Sequence, residues 1–78
     1  MLKRLLILAR DFNAARHWAK EQRLSLGRWV YVSSYHNIDG NSGCEYVKLP
    51  GFEQRVDADI LLAKLEAQAC KPSGEYAV

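Results

Sequence analysis

Residues 31–51 read Tyr-Val-Ser-Ser-Tyr-His-Asn-Ile-Asp-Gly-Asn-Ser-Gly-Cys-Glu-Tyr-Val-Lys-Leu-Pro-Gly, from Tyr31 to Gly51. Two short apolar runs flank a polar stretch. If the chain turns straight back, the second run lies antiparallel to the first. If it crosses over, the second run lies parallel, and the sheet gains a rim where ligands can gather. The connector from Ser33 to Cys44 is too long for a two-residue hairpin. It holds Asn37, Asp39, Gly40, Asn41 and Gly43, all turn formers. Ile38 stands alone among them. A lone apolar residue in such a setting reads as an anchor, pinning a short helical turn onto the sheet. A plain hairpin loop has no need of it. The reading therefore favours a parallel crossover, although the connector sits at the lower length limit for one. An antiparallel return is the alternative.

Working outward, residues 2–9 are a nearly continuous apolar run, which suits a strand covered on both faces. Asp11 follows as a helix N-cap. Residues 12–24 then show helical spacing, with Phe12, Ala15, Trp18, Ala19 and Gln22 on one side. Arg16, Lys20 and Arg23 form a basic border to that face. Ser25-Leu26-Gly27 ends the helix, with Gly27 suited to a left-handed stop. Residues 28–34 form the second strand and residues 45–49 the third, which Pro50-Gly51 stops. Residues 52–55 are a connector. A last helix covers about 56–70, opened near Asp57, with Ala58, Leu61, Leu62, Leu65 and Ala69 as its main apolar face. The order is β-α-β-β-α in one domain over residues 1–71. Residues 72–78 are expected to form a flexible tail.

With Val30-Tyr31-Val32-Ser33-Ser34, Ile38-Asp39-Gly40 and Tyr46-Val47-Lys48-Leu49 in this succession, the chain resembles a truncated Rossmann-like or P-loop-type α/β core. The likeness spans roughly residues 2–70 and is topological. It implies a minimal three-stranded, mostly parallel sheet with two helices. The compact chain also resembles small accessory proteins of tailed bacteriophages, a likeness that implies no particular activity. The departures are specific. A P-loop needs a glycine-rich turn with Lys and Ser/Thr after the first strand. Here the turn reads Ala9-Arg10-Asp11-Phe12-Asn13, and Asp11 would repel phosphate. The dinucleotide fingerprint is missing for the same reason. Nucleotide hydrolysis and any cofactor are not expected.

The chain has 78 residues, of which 49% are hydrophobic and 26% charged, an ordinary globular balance. A domain of this size buries only ~60% of the surface its unfolded chain exposes, so its stability is marginal. Cys44 and Cys70 make no disulfide framework and no metal-ligand spacing. They read as thiols in a reducing compartment, with an internal or intersubunit bridge as the alternative. Lys3 and Arg4 before an apolar run mimic a signal peptide, but Arg10-Asp11 ends the run too soon. A cytoplasmic protein with no membrane association is expected. Net charge is +2, unevenly placed. Residues 1–28 carry seven Lys/Arg against two acids; residues 29–78 carry four against seven. Such a split can orient a partner or a second copy.

Three groups of residues carry candidate functions. In a parallel sheet the rim beyond the strand ends gathers Arg10, Asp11, Ser33, Ser34 and His36, with Tyr35, Pro50 and Gly51. Ser, His and Asp are all present there, but no strained nucleophile elbow or oxyanion hole is identifiable. No catalytic or metal-binding residue is assigned, and His17 reads as solvated with Glu21 as a local partner. Arg16, Lys20, Arg23 and Arg28 could touch phosphates, with Trp18 and Tyr35 stacking, although the net charge is far below that of a strongly basic nucleic-acid domain. The last helix is the most informative. Val56, Ile60, Ala63, Ala67 and Cys70 form a second apolar stripe nearly opposite its core face. One helix packed on one sheet needs a single apolar face. The reading is a small non-enzymatic interaction module that self-associates, a dimer favoured, through antiparallel crossing of this helix. Cys70 near the axis could cross-link on oxidation. A host protein is a further possible partner, and nucleic-acid or nucleotide binding is the alternative function.

Overall fold

The computed structural model describes residues 4–74 and Tyr76. Leu2 and Lys3 of the expected first strand, Met1 before it, and Glu75, Ala77 and Val78 of the expected tail, lie outside the described residues. The elements are β1 (Leu5–Leu8), α1 (Phe12–Glu21), β2 (Trp29–Tyr31), β3 (Glu45–Lys48), α2 (Ala58–Ala67) and β4 (Lys71–Pro72). The sheet order is β2-β1-β3-β4, and every neighbouring pair is parallel. The fold is α/β, with a fourth strand added to the three expected.

Period-two alternation along β1 assigns the two layers. Leu5 and Ile7 face α1, packing with Ala15, Ala19, Trp29, Val47 and Leu49. Leu6 and Leu8 face α2, packing with Val32, Ile38, Phe52, Leu61 and Leu65. Residues Leu6 to Ala9 are fully buried, as befits a central strand covered on both sides. The helices therefore lie on opposite faces of one sheet. β1 and β3 are adjacent, and the chain leaves them in opposite directions, so the strand order reverses between them.

The Ser33–Cys44 connector crosses over as expected, and β1 pairs with β3 in parallel at Leu6↔Tyr46, Ile7↔Val47 and Leu8↔Lys48. Tyr35–Asn37 form a single 3-10 turn. The Asn37 side chain accepts from the Ser33 N–H (2.9 Å) and the Ser34 N–H (3.1 Å), closing that turn at its start. Ile38 is fully buried in the α2-side core, which anchors the crossover.

Both helices end earlier than expected, and neither stop uses glycine. After α1, Arg23 adopts φ 59°, the Arg23 N–H bonds the Lys20 carbonyl and the Leu24 N–H bonds the Ala19 carbonyl. After α2, Ala69 adopts φ 59°, the Ala69 N–H bonds the Glu66 carbonyl and the Cys70 N–H bonds the Leu65 carbonyl. Both are Schellman closures, in which the residue after the left-handed one turns back onto the core. Gly27, expected as the first stop, sits instead within a 3-10 turn at Leu26–Arg28. Ala69 leaves the apolar face of the helix and is exposed.

β4 lies beyond the second closure. Lys71 and Ser73 donate to the Cys44 and Tyr46 carbonyls at 3.2 and 2.8 Å. Pro72, between them, has no N–H to offer, and on an edge strand that missing donor points away from the ladder. The boundary placed at residue 71 thus falls inside a strand. Tyr76, also expected in the tail, packs edge-on against Trp18 with ring centroids 5.5 Å apart.

Candidate functional site

The parallel sheet sends its strand ends to one rim, where the carbonyls after β1 and β2 have no further strand to bond. Arg55 fills this position. Its guanidinium donates to the carbonyls of Ala9 (3.1 Å), Val32 (2.8 Å) and Ser33 (2.8 Å). It also donates to the Tyr31 hydroxyl at 3.3 Å. Asp57 completes the arrangement, accepting from Nε at 2.9 Å and from a terminal nitrogen at 2.8 Å. This is the planar, two-point pairing that guanidinium and carboxylate favour. Only 12% of the Arg55 side chain is exposed. The rim is closed from within by a cation that the residues around it fully engage.

The expected rim residues flank this closure and are each engaged locally. Asp11 caps α1, accepting from the Ala14 N–H at 2.8 Å, and lies 3.5 Å from exposed Arg10. Ser33 Oγ donates to Asn37 Oδ1 at 2.8 Å. Ser34 caps the 3-10 turn, and the His36 ring lies against Tyr35 at 4.2 Å. No hydrogen bond joins Ser33 or Ser34 to His36, or His36 to Asp11, among the described residues. Gly51 takes φ 93° where the chain leaves β3, and its Cα side abuts Arg10. His17 meets Glu21 at 3.4 Å on an exposed turn of α1, as its spacing suggested. Among the described residues, no three His, Cys, Asp or Glu side chains gather as metal ligands. In the sequence, Arg55 belongs only to the connector over residues 52–55. Its carbonyl and hydroxyl partners lie 22 to 46 residues away in the chain, and only Asp57 is a near neighbour, so no local pattern marks the role.

Away from the rim the chain carries two faces of contrasting character. On the outer side of α2, Ile60 is 60% exposed, and Val56, just before the helix, is fully exposed. Ala63 and Ala67 are exposed on the same helix. Cys70 does not belong to this stripe: it is buried, and its thiol donates toward the Asn41 carbonyl at 3.4 Å. The Schellman closure at Ala69 turns it inward. Cys44 is buried in the same core cluster. Asp59 and Glu66 border the outer face and make no ion pair among the described residues, whereas Lys64 is held by Asp39 at 2.6 Å.

The opposite face belongs to α1. Arg16 and Lys20 border a cavity of about 250 Å³ whose floor is Ala19, Leu24 and Trp29 and whose lip is Leu26. Leu26 is 84% exposed. Arg16 and Lys20 also border a second cavity of about 200 Å³ with Asn13 and His17. Arg23 is turned off the helix line by its left-handed backbone. Arg28 faces elsewhere, lining a cavity of about 350 Å³ with Arg4, Leu5, Leu24, Glu45 and Tyr76. The expected four-residue basic stripe is thus split, with Arg16 and Lys20 together and Arg23 and Arg28 apart. Trp18 is half-buried against Tyr76.

No family model, curated protein or solved structure matches the chain. Among the described residues, no helix is long and apolar enough to cross a membrane.

Proposed function

We propose that this chain is a small non-enzymatic interaction module that self-associates through the outer face of α2. The observation that carries the reading is the exposure of Ile60 on a helix whose other side already closes the core with Ala58, Leu61 and Leu65, with Val56 exposed just ahead of that helix. Two branched apolar side chains four residues apart, with the small residues Ala63 and Ala67 beyond them, leave room for close approach of another surface. The closed rim supports the same reading, because Arg55 and Asp57 engage the position where sheets of this type receive ligands. Sedimentation of the wild type and of Ile60→Asp across a concentration series tests it. The wild type is expected to associate with rising concentration and the variant to stay monomeric. A wild type that remains monomeric throughout would remove the reading.

A second reading, nucleic-acid or nucleotide binding, is favoured by Arg16 and Lys20, which border the α1 cavity and make no ion pair among the described residues. Phosphate contacts of this kind weaken steeply with salt. Salt-sensitive oligonucleotide binding that is lost in Arg16→Ala/Lys20→Ala would support it.

A further inference from the structure

Resting on self-association through α2, we propose that the surface receiving this helix is the α1 groove of a second copy, so that copies join head to tail. The two surfaces lie on opposite faces of one sheet, so no single chain can bring its own pair together. The groove has an apolar floor and lip, Leu24, Leu26 and Trp29, beneath the cations Arg16 and Lys20. The α2 face offers the converse, Val56 and Ile60 bordered by Asp59 and Glu66. None of these four charged groups makes an ion pair among the described residues, and Lys64, beside the α2 face, is held by Asp39. Oily surface thus meets oily surface while each acid meets a cation, which steers encounter and fixes the docked orientation.

Twofold pairing of α2 with itself fits less well. When two identical helices cross antiparallel about a twofold axis, each flank faces its own copy. Asp59 and Glu66 would then stand against the same acids of the partner. Like charges brought together in this way oppose docking. Pairing with the α1 groove removes that repulsion. A contact between two different surfaces leaves one of each open at the ends, so copies add until a ring closes or an open chain grows.

Two exposed-site variants test the geometry, Leu26→Asp in the groove and Ile60→Asp on α2. Each alone is expected to sediment as a monomer with unchanged circular dichroism. An equal mixture is expected to form a one-to-one complex and nothing larger, because each variant retains the surface the other lacks. Added salt is expected to weaken association of the wild type. Should either variant lose its fold, Arg16→Glu/Lys20→Glu and Asp59→Lys/Glu66→Lys give the same contrast, each monomeric alone and associating when mixed. A wild type that associates while Leu26→Asp associates equally well, with salt strengthening both, would overturn the groove and leave the α2 interface standing. A wild type that never associates would remove both, and salt-sensitive oligonucleotide binding by that monomer would assign the groove to nucleic acid instead.

Discussion

A guanidinium offers its N–H donors in one plane, and Arg55 uses them on carbonyls from two strand ends and on the carboxylate of Asp57. The group is nearly buried, so its loss would leave the Ala9, Val32 and Ser33 carbonyls short of donors and take the cation from Asp57, whose side chain is 31% exposed. Removing one partner of a buried pair costs about 3 kcal/mol or more. Arg55→Met is expected to lose that much in urea unfolding, a large part of a small domain's stability. Arg55→Lys should recover less than half of it, because a point charge cannot reach three segments at once. Equal stability of the methionine variant would show that the strand ends are held without the guanidinium. Ala69 bears on stability in the opposite direction. Its φ of 59° places a side chain in the left-handed region, which costs roughly 1 kcal/mol relative to glycine. Ala69→Gly is therefore expected to raise the unfolding free energy by about 1 kcal/mol. An unchanged or lowered value would mean that the closure is not strained.

At the scale of elements, the crossover between β2 and β3 depends on one buried side chain. Ile38 sits in the α2-side core with no exposed surface, among Leu61, Leu65 and Phe52. Ile38→Ala is expected to cost about 3 kcal/mol, from lost burial and the cavity left behind. Ile38→Val should cost about 1 kcal/mol. A cost for the alanine variant near that of an exposed site would contradict the anchor. This element was legible in the sequence because a single isoleucine among turn formers has one economical explanation. The central strand was legible as a continuous apolar run, and apolar periodicity marked Ala15 and Ala19 of α1 and Ala58, Leu61 and Leu65 of α2 as core positions, whereas Phe12 and Gln22, on the expected α1 face, are exposed. The helix ends were not legible. Arg23 and Ala69 take the left-handed position with no glycine to announce it, so the helical periodicity of the sequence runs past both true ends and carries Cys70 onto the outer face, although it is buried. The fourth strand was equally hidden, since Lys71-Pro72 has no apolar pattern and depends on donors on either side of a proline. The α1 groove has no sequence signature, because Leu24, Leu26 and Trp29 join Arg16 and Lys20 only after the chain turns at Arg23.

Over the whole molecule, the uneven charge of the sequence becomes a difference between surfaces. The basic first third supplies α1 and its groove, and the acidic remainder supplies the outer face of α2. The sheet holds the two apart, so the contrast persists until another molecule meets it. Surface cations and anions at this exposure contribute little to stability. Arg16→Ala, Lys20→Ala and Asp59→Ala are each expected to change the unfolding free energy by less than about 0.5 kcal/mol while weakening association. Loss of fold in any of them would assign these side chains a structural role instead. The most direct measurement is a dilution series followed by amide resonances of the isotope-labelled protein. Signals from Ile60 and Ala63 should move with concentration, and signals from Arg16, Lys20 and Leu26 should move along the same isotherm. A spectrum that does not change on dilution would contradict association, and movement confined to α2 would contradict its docking against α1.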